Sequence, residues 1–285
     1  MQRQLQCNFC TFEFVESASQ CPHCGRPSLF PNVTAAQDPA EASILVARYK
    51  SAKEMAKRNG FDEILAKFES AASKARPVIC RPLLEMQRLV TSDNEIYATY
   101  YQLLAAGVRL PRGEKWDILR AVADDALFPR YKDVLRFGAL SLDGFGCFAY
   151  GECHLELRED MIAHRASVFE ENSVLWLEHQ GIRVADVHNL PRGFRATWEE
   201  RAKLCVAKLA KKIAKVTDER EFPAVLLQPT DSTAADFVEL QIYGPLTARS
   251  LASVRLPKGL KRAKKVIAEA VAEKLGLFGV PVTYY

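Results

Sequence analysis

Four cysteines near the start of the sequence constrain the fold more than any other feature. They form two C-x-x-C pairs separated by ten residues, and Gly25 follows the second pair directly. The four are Cys7, Cys10, Cys21 and Cys24. Four thiolates at this spacing are typical of a tetrahedral zinc site, and a glycine there allows the positive φ angle that a turn around a metal needs. The spacing predicts a zinc ribbon over residues 1–30.

Two alternatives remain beside the zinc site, namely a pair of disulfides and unligated thiols in a small core. No secretory signal, which would favour disulfides, is recognisable in the sequence. A segment this short buries too little apolar surface to fold without a metal. Four protein ligands also leave no open position on the metal for a substrate. We therefore expect the ribbon to be structural or to contact a nucleic acid or a protein partner, and we expect any catalysis to lie in later residues.

The composition is that of a globular chain. Of its 285 residues, 48% are hydrophobic and 26% are charged, and the formal net charge is +4. We expect no membrane span, because no run of about 18 apolar residues occurs. Four further cysteines lack the spacing of a second metal site, and we interpret them as buried, reduced thiols of a cytoplasmic protein. They are Cys80, Cys147, Cys153 and Cys205.

Turn-forming residues and periodicity divide the rest of the sequence into three parts. Residues 31–39 are polar and bounded by prolines, and they predict a linker. Residues 40–130 have mostly helical patterns, with one short apolar strand at residues 77–80. Residues 131–285 alternate strands with helices. The predicted fold class is α+β, with a zinc ribbon, a helical middle segment and a mixed or antiparallel sheet flanked by helices.

Local patterns also predict individual elements in the last part. Residues 173–177 and 224–227 are short apolar runs that indicate strands, and residues 237–243 indicate another. Residues 198–216 have apolar residues spaced by four and three, which predicts an amphipathic helix with lysines on its opposite face. A second basic helix is predicted at residues 258–274.

A glycine-rich block at residues 140–157 is the first candidate for ligand binding. Three glycines and Tyr150 precede a predicted strand that carries His154 and Glu156. Glycine lets backbone approach a ligand closely, and an aromatic ring can stack on a planar one. The alternative is a turn-rich hairpin with solvent-facing polar residues. The P-loop, G-x-G-x-x-G, H-E-x-x-H and G-x-S-x-G signatures do not occur.

A Glu-x-Gln pair is the second candidate. Glu239 and Gln241 project from one face of a predicted strand, because side chains alternate along a strand. In a cleft, the pair could accept hydrogen bonds from a sugar hydroxyl and stabilise positive charge that develops on a ribose. The alternative is an amphipathic strand with a wet polar face.

Three blocks together resemble bacterial ADP-ribosyltransferase-like domains. They are Y-G-x-x-x-L-x-L at residues 150–157, R-A-S-x-F-x-x-N-S at residues 165–173 and E-L-Q-I-Y-G-P-L at residues 239–246. The resemblance covers roughly residues 134–255 and implies a split β-sandwich that holds NAD+ in a cleft.

The same resemblance implies roles for individual residues. Glu239 would bind the 2′-hydroxyl of the nicotinamide ribose and stabilise an oxocarbenium-like transition state, with Gln241 orienting the ribose or the acceptor. Ser167 corresponds to the serine that the family carries on a strand. Phe237 stands where arginine-modifying members have a glutamate, which disfavours protein arginine as the acceptor. The implied NAD+ contacts are Arg81, Tyr150, His154 and Arg165.

Two functions are expected, one implied by the resemblance and the other indicated by the ribbon and the basic helices. The first is NAD-dependent ADP-ribosyl transfer to a nucleic acid or a protein, as in a toxin or a phage-defence effector. The second is a non-enzymatic zinc-ribbon module whose basic helices bind nucleic acid or an acidic partner. The lysines of those helices could equally be the solvated faces of ordinary surface helices. NAD+ binding distinguishes the two functions, because a pure binding module has no reason to hold it.

Overall fold

The computed structural model describes residues 4–7, 10–15, 21–25, 30–94, 97–107, 115–129, 131–182, 190–228 and 236–285. Its strands are β1 (Gln4–Gln6), β2 (Glu13–Val15), β3 (Arg76–Arg81), β4 (Leu135–Ser141), β5 (Cys153–Leu157), β6 (Ala166–Phe169), β7 (Arg195–Thr197), β8 (Glu239–Tyr243), β9 (Leu251–Leu256) and β10 (Val282–Tyr284). Its α-helices are α1 (Pro31–Ala36), α2 (Pro39–Arg58), α3 (Asp62–Ser73), α4 (Leu83–Leu89), α5 (Tyr100–Ala105), α6 (Lys115–Leu127), α7 (Glu159–Ile162), α8 (Ser173–His179), α9 (Arg201–Leu209), α10 (Phe222–Leu226) and α11 (Ala263–Leu277). Within the described ranges, no helix has the length and apolarity needed to cross a bilayer.

The predicted α+β class is confirmed. β1 and β2 pair antiparallel, with β1 before the first cysteine pair and β2 after it. The other eight strands form one mixed sheet in the order β10-β9-β5-β3-β4-β8-β6-β7, in which only β10 and β9 run parallel. A split β-sandwich would have two sheets, whereas the described strands outside the hairpin share one sheet.

The sheet also joins parts of the chain that the sequence analysis placed in separate segments. The strand predicted at residues 77–80 is β3, and it lies between β5 and β4 in the middle of the sheet. Strand β3, which comes from the predicted helical segment, therefore belongs to the same sheet as the strands of residues 131–285. The predicted boundary at residue 131 does not separate a helical part from the sheet. Helices that precede residue 131 and helices that follow it pack on the same strands.

One face of the sheet is apolar and carries the main core. Alternation along the strands turns residues such as Ile79, Leu140 and Leu240 toward this face. Helices α2, α3 and α9 pack against one another there and bury side chains such as Phe68 and Leu204 in the same core. Burial of this apolar surface is the main force that holds the helices on the sheet.

Separate groups of helices cover the opposite face of the sheet. Helix α1 lies against β6, β7 and β8, and helices α6 and α8 pack on each other. A second core forms here around Phe128, Phe169 and Trp176. The same alternation that turns Leu240 toward the main core turns Glu239 and Gln241 toward this face. Because its cover is discontinuous, the second face retains a cavity.

Two predicted strands are helices instead. Residues 173–177 begin α8, where Asn172 Oδ1 accepts hydrogen bonds from the backbone N–H groups of Val174 at 2.9 Å and Leu175 at 3.3 Å. An apolar run that is buried on all sides does not distinguish a strand from a buried helix. Residues 224–227 fall mostly in α10, which begins at Phe222 and has Pro223 in its first turn, where proline is tolerated.

The predicted linker at residues 31–39 contains a helix. Pro31 starts α1 and Pro39 starts α2, so both prolines are helix-initiating residues and not linker residues. The helix predicted at residues 198–216 is shorter, since α9 ends at Leu209 and a 3-10 turn follows. Val216, the last apolar residue of the predicted helix, is 89% exposed.

Candidate functional site

A cavity of about 550 Å³ lies against the second face of the sheet. Its wall is formed by β3, β4 and β8, by helices α5 and α6, and by the turn at residues 147–150. Glu239 contributes a carboxyl group from the sheet. The basic side chains on the wall are Arg81, Arg120, Lys132 and Arg136. The tyrosines on the wall are Tyr97, Tyr100, Tyr101 and Tyr150.

The carboxyl group of Glu239 is buried and held on both oxygens. Gln241 Nε2 donates to Oε1 at 3.1 Å. Ser173 donates to Oε2 through its backbone N–H at 3.3 Å and through Oγ at 3.4 Å. Period-two alternation in β8 places Gln241 beside Glu239, and the start of α8 supplies Ser173. The alternative of an amphipathic strand with a solvent-exposed polar face is therefore wrong, because both Glu239 and Gln241 are buried.

The environment of Glu239 shifts its ionisation toward neutral pH. Burial raises the pKa of this carboxyl to about 7, and the hydrogen bonds from Gln241 and Ser173 oppose that rise. The nearby carboxyl of Asp124 adds to the rise. A carboxyl with such a pKa exchanges a proton near physiological pH, as functional carboxyls in clefts often do.

We expect the free energy of unfolding to fall as the pH rises from about 4.5 to about 7, because native Glu239 keeps a proton that the unfolded chain has lost. Between these pH values, the free energy of unfolding should fall by about 3 kcal/mol. Denaturant unfolding of the wild type and of Glu239→Gln, compared at several pH values, isolates this fall because the amide does not titrate. The matched control is Glu269→Gln, at an exposed glutamate. A difference between wild type and Glu239→Gln that does not vary with pH would contradict the buried, titrating carboxyl.

Arg81 and Tyr150, both implied NAD+ contacts, lie on the cavity wall. The guanidinium of Arg81 stacks over the ring of Tyr97 at 4.3 Å. Tyr150 Oη accepts a hydrogen bond from Asn172 Nδ2 at 2.7 Å, and burial raises the pKa of Tyr150. The Tyr150 ring packs edge-on against Phe237. These contacts hold both side chains in place at the cavity.

Ser167 lies two hydrogen bonds away from the cavity wall. Its Oγ donates to Gln241 Oε1 at 3.4 Å, and Gln241 in turn contacts Glu239. The three proposed catalytic residues therefore form one connected chain, of which Glu239 alone lines the cavity. The pairing of β6 with β8, which sets Ser167 opposite Gln241, brings them together.

His154 and Arg165 do not line the cavity. The His154 ring is surrounded by Phe145, Phe148 and Tyr285, and its Nδ1 accepts a hydrogen bond from the backbone N–H of Gly146. Burial lowers the pKa of His154 to about 4, so the ring is neutral and structural. Arg165 donates to the backbone carbonyl of Tyr243 at 2.6 Å and so fastens the end of β8.

The opposite wall of the cavity was not predicted from the sequence. Tyr101 Oη donates to Asp124 Oδ2 at 2.7 Å, and Arg120 lies over the Tyr100 ring at 5.3 Å. Burial raises the pKa of Asp124, and the nearby charge of Arg120 opposes that rise. The cluster of tyrosines around residue 100 is visible in the sequence, but contacts with α6 decide that it faces Glu239.

The predicted basic faces differ in how far they are neutralised. On the first, Lys208 and Lys212 each form an ion pair of 2.5 Å with Asp236. On the second, the basic residues around the start of α11 are exposed. They are Lys258, Lys261, Arg262, Lys264 and Lys265, of which Lys264 forms an ion pair with Glu152 at 3.7 Å and Lys265 forms one with Glu269 at 3.8 Å.

The four N-terminal cysteines form a candidate metal centre. Their sulfur atoms all lie within 4.8 Å of one another and could hold a metal ion. The Sγ atoms of Cys7 and Cys24, and those of Cys10 and Cys21, are 3.6 Å apart. Sulfurs about 2.3 Å from one tetrahedral zinc ion would be about 3.8 Å apart, so the spacing fits. All eight cysteines are free thiols, which opposes the disulfide alternative.

The two cysteine pairs share a backbone hydrogen bond and a positive φ angle. Thr11 N donates to the carbonyl of Cys7, and Gly25 N donates to the carbonyl of Cys21. Gly25 has the expected positive φ of 67°, and Thr11 has a φ of 59° in the first turn. A threonine rarely adopts such a φ, so this position was not foreseen from the sequence.

No family model matches the sequence, and no similar protein was found among the curated proteins. A function must therefore be inferred from the cavity and the cysteine cluster.

Proposed function

We propose that the chain is an NAD-dependent ADP-ribosyltransferase-like enzyme that modifies a nucleic acid or a protein, with a structural zinc ion in its N-terminal ribbon. One observation carries this proposal: Glu239 is buried on the wall of a cavity, Gln241 donates a hydrogen bond to it, and basic and tyrosine side chains line the same cavity. The exposed basic residues around the start of α11 favour a polyanionic acceptor.

The cavity suits a dinucleotide by size and by chemistry. Its volume falls in the range of sites that enclose small molecules. An arginine guanidinium can donate two parallel hydrogen bonds to the oxygens of a phosphate, and a tyrosine ring can stack on a planar base. Tyr97 Oη is buried on this wall without a hydrogen-bond partner among the described residues, and a bound ligand would satisfy it.

The proposed reaction uses Glu239 as an electrostatic catalyst. Its carboxylate accepts a hydrogen bond from the 2′-hydroxyl of the nicotinamide ribose. When the bond between ribose C1′ and the nicotinamide nitrogen breaks, the bonding electrons leave with nicotinamide, and positive charge develops on the ribose. A buried carboxylate stabilises that charge strongly, because little water screens it. The acceptor then forms a bond to C1′ and loses a proton.

Direct binding of NAD+ tests the proposal against the binding-module alternative. We expect the full chain to bind NAD+ in a calorimetric titration, and we expect Arg120→Gln to weaken binding about tenfold or more, through loss of one charge-assisted phosphate contact. The matched control is Arg220→Gln, an exposed arginine paired with Asp218, which should bind normally. If the wild type does not bind NAD+, the proposed function is contradicted and the non-enzymatic binding module becomes the favoured hypothesis.

A further inference from the structure

A buried asparagine lies behind the proposed catalytic strand. Asn32 belongs to α1 and is 2% exposed. Its Nδ2 lies 3.1 Å from each of three oxygens: the backbone carbonyls of Arg165 and Gln241, and Ser167 Oγ. Backbone carbonyls only accept hydrogen bonds, so the amide nitrogen of Asn32 must face them. Asn32 Oδ1 points the other way and has no hydrogen-bond partner among the described residues.

This orientation sets the direction of the hydrogen bonds that follow. Because Asn32 only donates to Ser167, the single hydroxyl hydrogen of Ser167 is left for Gln241 Oε1, 3.4 Å away. With its oxygen engaged by Ser167, Gln241 turns Nε2 toward Glu239 Oε1 at 3.1 Å. A donor, and not an acceptor, therefore faces the carboxyl group of Glu239.

We propose that Asn32 is a positioning residue for Glu239, acting through Ser167 and Gln241 to present a hydrogen-bond donor to its carboxylate. The benefit for catalysis rests on the proposed function, because only a reaction at Glu239 makes use of an aligned, ionised carboxylate. Without Asn32, the Gln241 amide can turn over and offer its oxygen to a protonated Glu239. The carboxylate would then lose one of the groups that favour its charged form.

The pKa of Glu239, followed by ¹³C NMR of the labelled carboxyl group in the full chain, tests this without any substrate. The Glu239→Gln spectrum assigns the signal. We expect Asn32→Ala to raise the Glu239 pKa by about one unit, and Ser167→Ala to raise it similarly, because each removes one link of the same chain. Ser167→Ala deletes only a hydroxyl group, so it decides the test if Asn32→Ala does not fold.

The control is Val33→Ala, which loosens the packing of α1 but removes no side-chain hydrogen bond. An unchanged Glu239 pKa in folded Ser167→Ala, or an equal rise in Val33→Ala, would overturn the proposal. Asp124, the other carboxyl group that raises the Glu239 pKa, is intact in every variant. If the Asn32 and Ser167 variants raise the Glu239 pKa but the wild type does not release nicotinamide, the positioning role is supported and the proposed reaction is rejected. Failure of the positioning role and failure of the proposed function are therefore distinguishable.

Discussion

Replacing Glu239 by glutamine is expected to lower the rate of nicotinamide release by about 10² to 10³, which is the usual cost of removing a preorganised electrostatic group. NAD+ affinity should change little, because the charge that Glu239 stabilises exists in the transition state and not in bound NAD+. The glutamine side chain has nearly the same shape, and it resembles the protonated carboxyl that Ser173 and Gln241 already surround. Nicotinamide release with candidate acceptors present, and calorimetry with NAD+, measure the two quantities separately.

The pH profile adds a second readout for the same residue. Because the carboxylate is the active form, the wild-type rate should rise with pH through about 7 and then level off. Gln241→Ala should have a smaller effect than Glu239→Gln, since Gln241 acts on the carboxylate and does not line the cavity. A fully active Glu239→Gln protein, or a loss confined to NAD+ affinity, would contradict the proposed role.

Replacing Cys21 by serine is expected to release the zinc ion and to unfold the ribbon, while the eight-stranded sheet stays folded. Cys21 is the most buried of the four cysteines, at 1% exposed, and its Sγ lies 3.6 Å from that of Cys10. Binding of structural zinc contributes on the order of 10 kcal/mol to folding, and an apolar core this small cannot replace it. Metal analysis should give about one zinc per chain for the wild type and none for the variant.

The matched control is Cys153→Ser, a buried cysteine in the sheet, which should keep its zinc. NMR spectra should show the changes caused by Cys21→Ser confined to the ribbon, because the sheet has a core of its own. Wild-type protein that contains no zinc would refute the metal centre. Retention of zinc by Cys21→Ser would show that Cys21 is not a ligand.

The features that the sequence determined by itself depend on neighbours along the chain. The spacing of the cysteines was sufficient to predict their cluster, because a C-x-x-C turn places two thiols around one ion. Alternation in β8 was sufficient to place Glu239 beside Gln241, because side chains two residues apart share a face of a strand. Strand β5 also carries His154 and Glu156, as the period of two in that segment predicted.

Tertiary structure decided the features that depend on distant partners. The apolar run at residues 173–177 became a helix because Asn172 caps it and the surrounding core buries all its sides. Asn32 contacts residues 135 and 209 positions away, and no local pattern distinguishes it from an asparagine in a linker. The cavity exists because α5 and α6 lie over β3, β4 and β8. Sequence periodicity specifies which face of an element is buried, whereas the order of strands in the sheet specifies which residues meet there.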